Sequence, residues 1–260
     1  MPFAESATVD IVRRFRGLRA LVIGDAMLDT YIEGVATRLC KEGPVPVLEK
    51  AGEHSAPGGA ANSAANLRAL GAEVMFVALV GPDRTADDLR SALRASDVDD
   101  RWLVEDEACG TIRKTRVLAN GQYVIRFDEG ETRSCSPAGQ RRLLERIDEA
   151  FPRCDLVVVP DYGYGAASNA AVAHVRKLRE SRPVTLAVDA KHPRRFAGAA
   201  ATVITPNFNE AWSAIEPGAL PPQSPGADEA ERLGRRLLEA IDAELAAVTL
   251  AGDGLVLLDR

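Results

Sequence analysis

The feature that most constrains this chain is an alternation. Short apolar runs recur along it, and stretches with helical periodicity separate most of them. Arg19–Gly24 (RALVIG), Glu73–Val80, Asp155–Val159 (DLVVV), Val184–Asp189 (VTLAVD), Ala201–Thr205, Leu245–Leu250 and Leu255–Leu258 read as strands. Gly59–Leu70, Ala86–Ala95, Pro137–Ala150, Ala167–Glu180 and Asp228–Glu239 read as helices. Gly71 is placed as the residue just past a helix end, where a left-handed conformation is needed. Leu143, Leu144 and Ile147 form one apolar stripe. Strands alternating with helices predict an α/β fold, a mostly parallel sheet flanked by helices on both faces.

Two stretches break the alternation. Tyr31–Lys50 and Thr111–Asp128 look like polar, alternating strands, and Asn120-Gly121 between two such runs is a hairpin signal. These segments predict a small β appendage beside the main sheet. Pro217–Gly226 reads as a surface loop, and residues 1–260 as one domain.

Composition removes several function classes. The net charge is −6, which argues against a nucleic-acid binder relying on bulk positive charge. No apolar run approaches the roughly 20 residues that span a bilayer. The amino-terminal MPFAESATVDIVRRF lacks an apolar signal core. Cys40, Cys109, Cys135 and Cys154 have no metal-site spacing and imply no disulfide, and the three histidines are scattered. The expectation is a reduced, cytoplasmic, soluble protein.

In open α/β sheets ligands bind outside the carboxyl ends of the strands. Those ends carry Gly24-Asp25 with Asp29 beyond, Pro160-Asp161-Tyr162-Gly163, Asp189-Ala190-Lys191, and Pro206-Asn207-Phe208-Asn209-Glu210. Gly58-Gly59, with Asn62 following, opens a helix and would let backbone approach a ligand, or simply form a tight turn. Asp25 and Asp29 suit sugar hydroxyls, or a turn and a cap. Asn207 and Glu210 share a helix's first turn, which suits water-mediated Mg²⁺ binding or plain capping. Arg113, Lys114, Arg116 and Arg126 form a basic group that would meet an anionic substrate or blunt an edge strand.

Gly58–Ala64 with Gly71 beyond resembles the first signature of the ribokinase/PfkB sugar-kinase family. GDAMLD (Gly24–Asp29), PVPVLE (Pro44–Glu49), KTRVLANGQYVIRFDEG (Lys114–Gly130), DYGYG (Asp161–Gly165), VDAKH (Val188–His192), TPNFNEA (Thr205–Ala211) and VTLAGDG (Val248–Gly254) are similar, in order, to that family's heptose 7-phosphate kinases. Those kinases serve ADP-heptose synthesis and are often fused to a nucleotidyltransferase. The resemblance covers about residues 18–260 and implies a ribokinase-like fold with the β appendage as a lid. It also implies transfer of phosphate from ATP, with Mg²⁺, to the 1-hydroxyl of a heptose 7-phosphate. It assigns Asp25, Asp29, Gly58, Gly59, Asn62 and Arg126 to the sugar phosphate. Lys191, Asn207, Thr249, Gly252 and Gly254 go to the nucleotide, and Glu210 to Mg²⁺. Lids in this family often pair between subunits, which implies a homodimer.

One motif departs. The family's base and anion hole come from a Gly-Ala-Gly-Asp loop that opens a late helix. Here Ala251-Gly252-Asp253-Gly254 is followed by a strand-like LVLLDR, so it reads as a turn between strands and Asp253 as a turn residue. The catalytic residue is left unassigned. The expectation is an uncovered apolar sheet surface and an incomplete adenine pocket, in a truncated kinase, one half of a split kinase completed by a second chain, or a sugar-phosphate-binding module.

Overall fold

The computed structural model describes residues 5–130 and 135–260; the first four residues of the amino-terminal segment read above lie outside them. The elements follow in order: α1 (Glu5–Arg13), β1 (Arg19–Ile23), β2 (Ala26–Leu39), β3 (Pro46–Gly59), α2 (Ala60–Ala69), β4 (Glu73–Val77) and β5 (Leu79–Val80). Next come α3 (Arg84–Ala95), β6 (Val104–Glu105), β7 (Ile112–Ala119), β8 (Gln122–Glu129), α4 (Pro137–Ala150), β9 (Leu156–Asp161) and α5 (Asn169–Ser181). The last are β10 (Thr185–Ala190), β11 (Val203–Ile204), α6 (Phe208–Ile215), α7 (Ala227–Ile241), β12 (Leu245–Thr249) and β13 (Leu255–Asp259).

The main sheet has strand order β13-β12-β11-β10-β9-β1-β4. All its pairings are parallel except β12 with β13. Strand β1 lies inside the sheet, between β9 and the edge strand β4, and its Ala20, Leu21 and Val22 are fully buried, as a strand covered on both faces must be. Leu21 and Ile23 join the core under α4, α5, α6 and α7, with Leu143, Ile147, Val175 and Leu237. Val22 joins a second core under α2 and α3, with Phe76, Ala64 and Leu89. The chain leaves β1 for β4 on one side and later returns to β9 on the other. In open α/β sheets such a reversal marks the crevice where ligands bind, here at the carboxyl ends of β1 and β9.

The appendage is a second sheet, β3-β2-β7-β8. Its bounds differ from those the sequence implies. Strands β2 and β3 pair from Ala26↔Gly59 to Leu39↔Pro46, so the first segment runs over 26–59 rather than 31–50. The second is Ile112–Glu129. Gly58 and Gly59 are therefore the last residues of a strand, not a free turn, and Gly59 doubles as the N-cap of α2. The hairpin at Asn120-Gly121 forms with both residues at positive φ, as a type I′ turn requires. Glu73–Val80 splits in two: β5 leaves the main sheet to pair with β6. Ala201–Thr205 contracts to the two residues of β11. The helix α1 was not legible in the pattern.

The helices leave part of the molecule uncovered. On β13, Leu255 and Leu257 are 58% and 65% exposed, beside half-buried Ala247 of β12. On β8 every residue is exposed, Tyr123, Ile125 and Phe127 included. The accessible surface is 14267 Å², against roughly 11,000 Å² expected for a monomer of this mass. The four cysteines are free, and no helix among the described residues is long and apolar enough to cross a membrane.

Candidate functional site

The site lies along the carboxyl edge of the main sheet. From β1 to β12 there are four strand steps, about 19 Å at the usual spacing. Along this edge stand the lid and Asp29 after β1, the loop 162–166 after β9, Lys191 after β10, Asn207 and Glu210 after β11, and Thr249 at the end of β12.

Asp25 follows β1 and is 3% exposed. Its Oδ2 accepts from the backbone N–H of Tyr162 (2.9 Å) and Tyr164 (3.0 Å), and its Oδ1 from that of Ala166 (3.0 Å). Burial raises its pKa, partly offset by these donors. Asp25 thus shapes the loop across the β1–β9 crevice, and both of its oxygens are engaged there. The loop takes this path through Gly163 and Gly165, both at positive φ. Asp161, fully buried as the last residue of β9, is paired with Arg195 (2.8 Å) and accepts from the Gly163 N–H (3.0 Å).

Asp29 lies on β2, with its Oδ1 accepting from Arg116 Nη1 at 2.7 Å. A Cβ on Gly58 would come within 2.7–3.1 Å of the Asp29 carboxylate, so this glycine makes room for the acid. Gly59, at φ +55°, would similarly press on Met27 and the Asp25 carbonyl. Asn62 is exposed on the first turn of α2. The lid registers put Asp29, Lys114 and Asp128 in one row, and Tyr31, Arg116 and Arg126 in the next. Alternation then turns Arg113 to the opposite face, where it pairs with Asp88 of α3. Three of the four basic lid residues therefore share a face with Asp29. Arg126 is exposed and paired with Asp128 (3.0 Å). Arg116 also sits over the Tyr31 ring (5.3 Å), which stacks on His54.

At the other end, Asn207 caps α6. Its side chain accepts from the Glu210 N–H, and Glu210 Oε2 accepts from the Asn207 N–H, both at 2.9 Å. The capping reading of this pair is correct as far as it goes: one carboxylate oxygen is used locally. Burial raises the Glu210 pKa, the Asn207 N–H lowers it, and nearby Asp189 raises it further. Partial desolvation likewise raises the pKa of Asp189, which stays exposed on β10, and the Thr205 hydroxyl offsets this in part. Glu210 and Asp189, both raised in pKa and each acting on the ionisation of this region, are a donor set that a divalent cation would suit. Among the described residues no three His, Cys, Asp or Glu groups form a metal cage. A pair of carboxylates fits Mg²⁺, which keeps several waters and completes its shell on phosphates.

Asn207 and Thr249 line one cleft of about 650 Å³, together with Leu250, Asp253 and the loop 221–225. Gly252 and Gly254 are exposed in the turn beside it. Ala251–Asp253 is a single 3₁₀ turn joining antiparallel β12 and β13, so Asp253 opens no helix. Lys191 is exposed after β10, and a Cβ on Gly163 would lie 4.0 Å from its side chain.

Sequence reasoning placed Tyr162 at a strand end and Tyr164 in the DYGYG motif but gave neither a role. Tyr162 is raised in pKa by burial and then by Asp189, Asp29, Glu210 and Asp25, so it stands among the carboxylates of both halves of the edge. Tyr164 meets Lys114 of the lid (3.1 Å). The signal for both was the alternating Tyr-Gly-Tyr-Gly after a buried strand.

The fold and this edge define an α/β protein with a second β-sheet beside the carboxyl edge of its main sheet. The chain belongs to the pfkB family of carbohydrate kinases, whose family model matches residues 18–260. It is 40% identical over 190 residues to the bifunctional protein HldE of Azorhizobium caulinodans, covering 73% of this chain and 40% of that protein. It is 35% identical over 243 residues to HldE of Geobacter sulfurreducens, covering 94% and 49%. The chain thus spans half or less of these relatives' length. Phosphofructokinase-2 from Escherichia coli, in complex with fructose-6-phosphate, shares the fold with a TM-score of 0.68 at 17% identity, covering 94% of this chain and 77% of that one.

Proposed function

We propose that this chain is the sugar-phosphate- and nucleotide-binding kinase unit of a heptose 7-phosphate kinase. It directs the terminal phosphate of Mg²⁺-ATP to the 1-hydroxyl of the sugar. The observation that carries this reading is the order of groups along the sheet edge. Sugar-type donors and acceptors stand at β1, the cleft with Asn207 and Thr249 stands at β11–β12, and Lys191 stands between. Similarity to the HldE proteins over most of the chain supports the heptose assignment.

In this reading Asp29 orients a sugar hydroxyl, and Gly58 keeps its carboxylate clear of β3. Asn62, Gly59 and Asp25 complete the sugar side, Asp25 through the loop it holds. Lys114, Arg116 and Arg126 face the sugar's phosphate. Thr249, Gly252, Gly254 and Asn207 line the nucleotide cleft, and Lys191 meets its phosphates. Glu210, with Asp189, holds Mg²⁺ through water. ATP supplies the phosphoryl group and Mg²⁺ neutralises its charge. The unit works as one domain in the cytoplasm, and the exposed strand β8 pairs two lids in a homodimer.

The test is phosphate transfer from Mg²⁺-ATP to D-glycero-β-D-manno-heptose 7-phosphate by the purified chain, beside a panel of other sugars and sugar phosphates. Turnover confined to another sugar removes the heptose assignment. A second reading is a sugar-phosphate-binding protein without turnover. It is favoured by the position of Asp253 in a turn, away from any helix start. Binding of the sugar phosphate with no transfer supports that second reading.

A further inference from the structure

Lys114 is an unusual cation. Its side chain is only 15% exposed, yet the carboxylate it meets among the described residues, Asp128, stands 3.8 Å away. Its close polar partner is the neutral Tyr164 hydroxyl, which accepts from Nζ at 3.1 Å, with the ammonium 5.2 Å from the ring centroid. Arg116, in the next row, is held at 2.7 Å by Asp29 and so is already neutralised. A largely buried ammonium whose carboxylate partner stands at 3.8 Å is weakly compensated, and a ligand anion closer to it would compensate it better. Tyr164 in turn is not free to move. Its backbone N–H and those of Tyr162 and Ala166 are gathered by the buried Asp25, and glycines flank it on both sides.

We propose that Tyr164 is the positioning residue that sets selectivity for a phosphorylated sugar: anchored by Asp25, it holds the Lys114 ammonium of the lid over the sheet edge to receive the sugar's phosphate. At Lys114 the phosphate competes only with the distant Asp128 carboxylate at 3.8 Å, whereas at Arg116 it would compete with Asp29 at 2.7 Å. The loop therefore couples the main sheet to the lid at the cation whose carboxylate partner is the more distant. This inference rests on the sugar-phosphate reading above.

Calorimetric titration of the whole chain with D-glycero-β-D-manno-heptose 7-phosphate, and with the unphosphorylated heptose, tests it. Tyr164→Phe is expected to weaken the phosphorylated sugar by about five-fold, the worth of one hydrogen bond, and to leave the unphosphorylated sugar unchanged. Lys114→Met is expected to weaken the phosphorylated sugar by roughly 10- to 100-fold. Tyr164→Phe added to Lys114→Met should then cost nothing more, which a merely structural tyrosine would not show. Equal weakening of both sugars by Tyr164→Phe, or an undiminished preference for the phosphorylated one, overturns the role of Tyr164 while leaving the sugar-phosphate reading intact. A wild-type chain without preference for the phosphorylated sugar overturns both.

Discussion

Asp25→Asn isolates the part of the site that is built rather than bound. The Asp25 carboxylate accepts three backbone N–H groups, two on Oδ2 and one on Oδ1. An amide has one acceptor oxygen. Turned toward Tyr162 and Tyr164 it keeps two of these bonds, and its NH₂ then faces the Ala166 N–H, donor against donor. That N–H is buried, so it loses its partner without gaining water. An unsatisfied buried donor costs about 1–3 kcal/mol, and the variant should lose that much stability at pH 7. Urea unfolding followed by circular dichroism reads it as a lower midpoint with an unchanged slope. Tyr164 would also loosen from Lys114, so binding of the phosphorylated sugar should fall with stability. A variant as stable as the wild type, with the loop unchanged, would refute the assignment of Asp25 as the anchor of residues 162–166.

Further outcomes follow from the same geometry. Gly58→Ala places a methyl against the Asp29 carboxylate; sugar affinity should drop at least ten-fold, by titration, while stability changes by about 1–2 kcal/mol or less. Gly59→Ala, at φ +55° with Met27 and the Asp25 carbonyl in the way, should cost about 1–3 kcal/mol in a denaturant melt. Glu210 and Asp189 both have their pKa raised, so they take up protons at a higher pH than the same acids in water as pH falls. On the proposed Mg²⁺ role of Glu210, Mg²⁺-nucleotide affinity should therefore weaken earlier on acidification than unperturbed carboxylates would make it, and Glu210→Gln should flatten that profile. Asp25 has its pKa raised on folding, so its titration stabilises the protein fully below its unfolded pKa, and that contribution is lost as pH rises through the folded value. Leu255→Ser with Leu257→Ser should reduce binding of an apolar dye to the exposed face of β13 without lowering stability.

Much of the fold was legible because burial on two faces writes itself into the sequence. RALVIG and DLVVV read as interior strands and are, and Ser136–Ala150 carries the helix's cap, its proline and its stripe in one segment. The Asn120-Gly121 turn was legible for the same reason: only such residues tolerate both positive φ angles. The extent of the lid was not. Ala26–Leu28 is apolar because it packs on α2 and α3, so it reads as core although it is hydrogen-bonded as lid. Strand β5 continues the apolar run of β4, and only its tertiary partner β6 separates them. In the site, Asp29 and Gly58 were nameable as residues, but their mutual fit is a cross-strand contact between β2 and β3 that no spacing encodes. Asp25 sits on a strand end like a ligand-binding acid, yet its partners lie about 140 residues away, on the loop after β9. Tyr164 and Lys114, 50 residues apart, meet only once the lid folds over the edge.

The most direct test of the central claim is the affinity of the chain for D-glycero-β-D-manno-heptose 7-phosphate, measured by calorimetry for the wild type and for Asp29→Ala. The account predicts saturable binding by the wild type and a loss of at least 100-fold in the folded variant. No binding by the wild type, or equal binding by both, would contradict it.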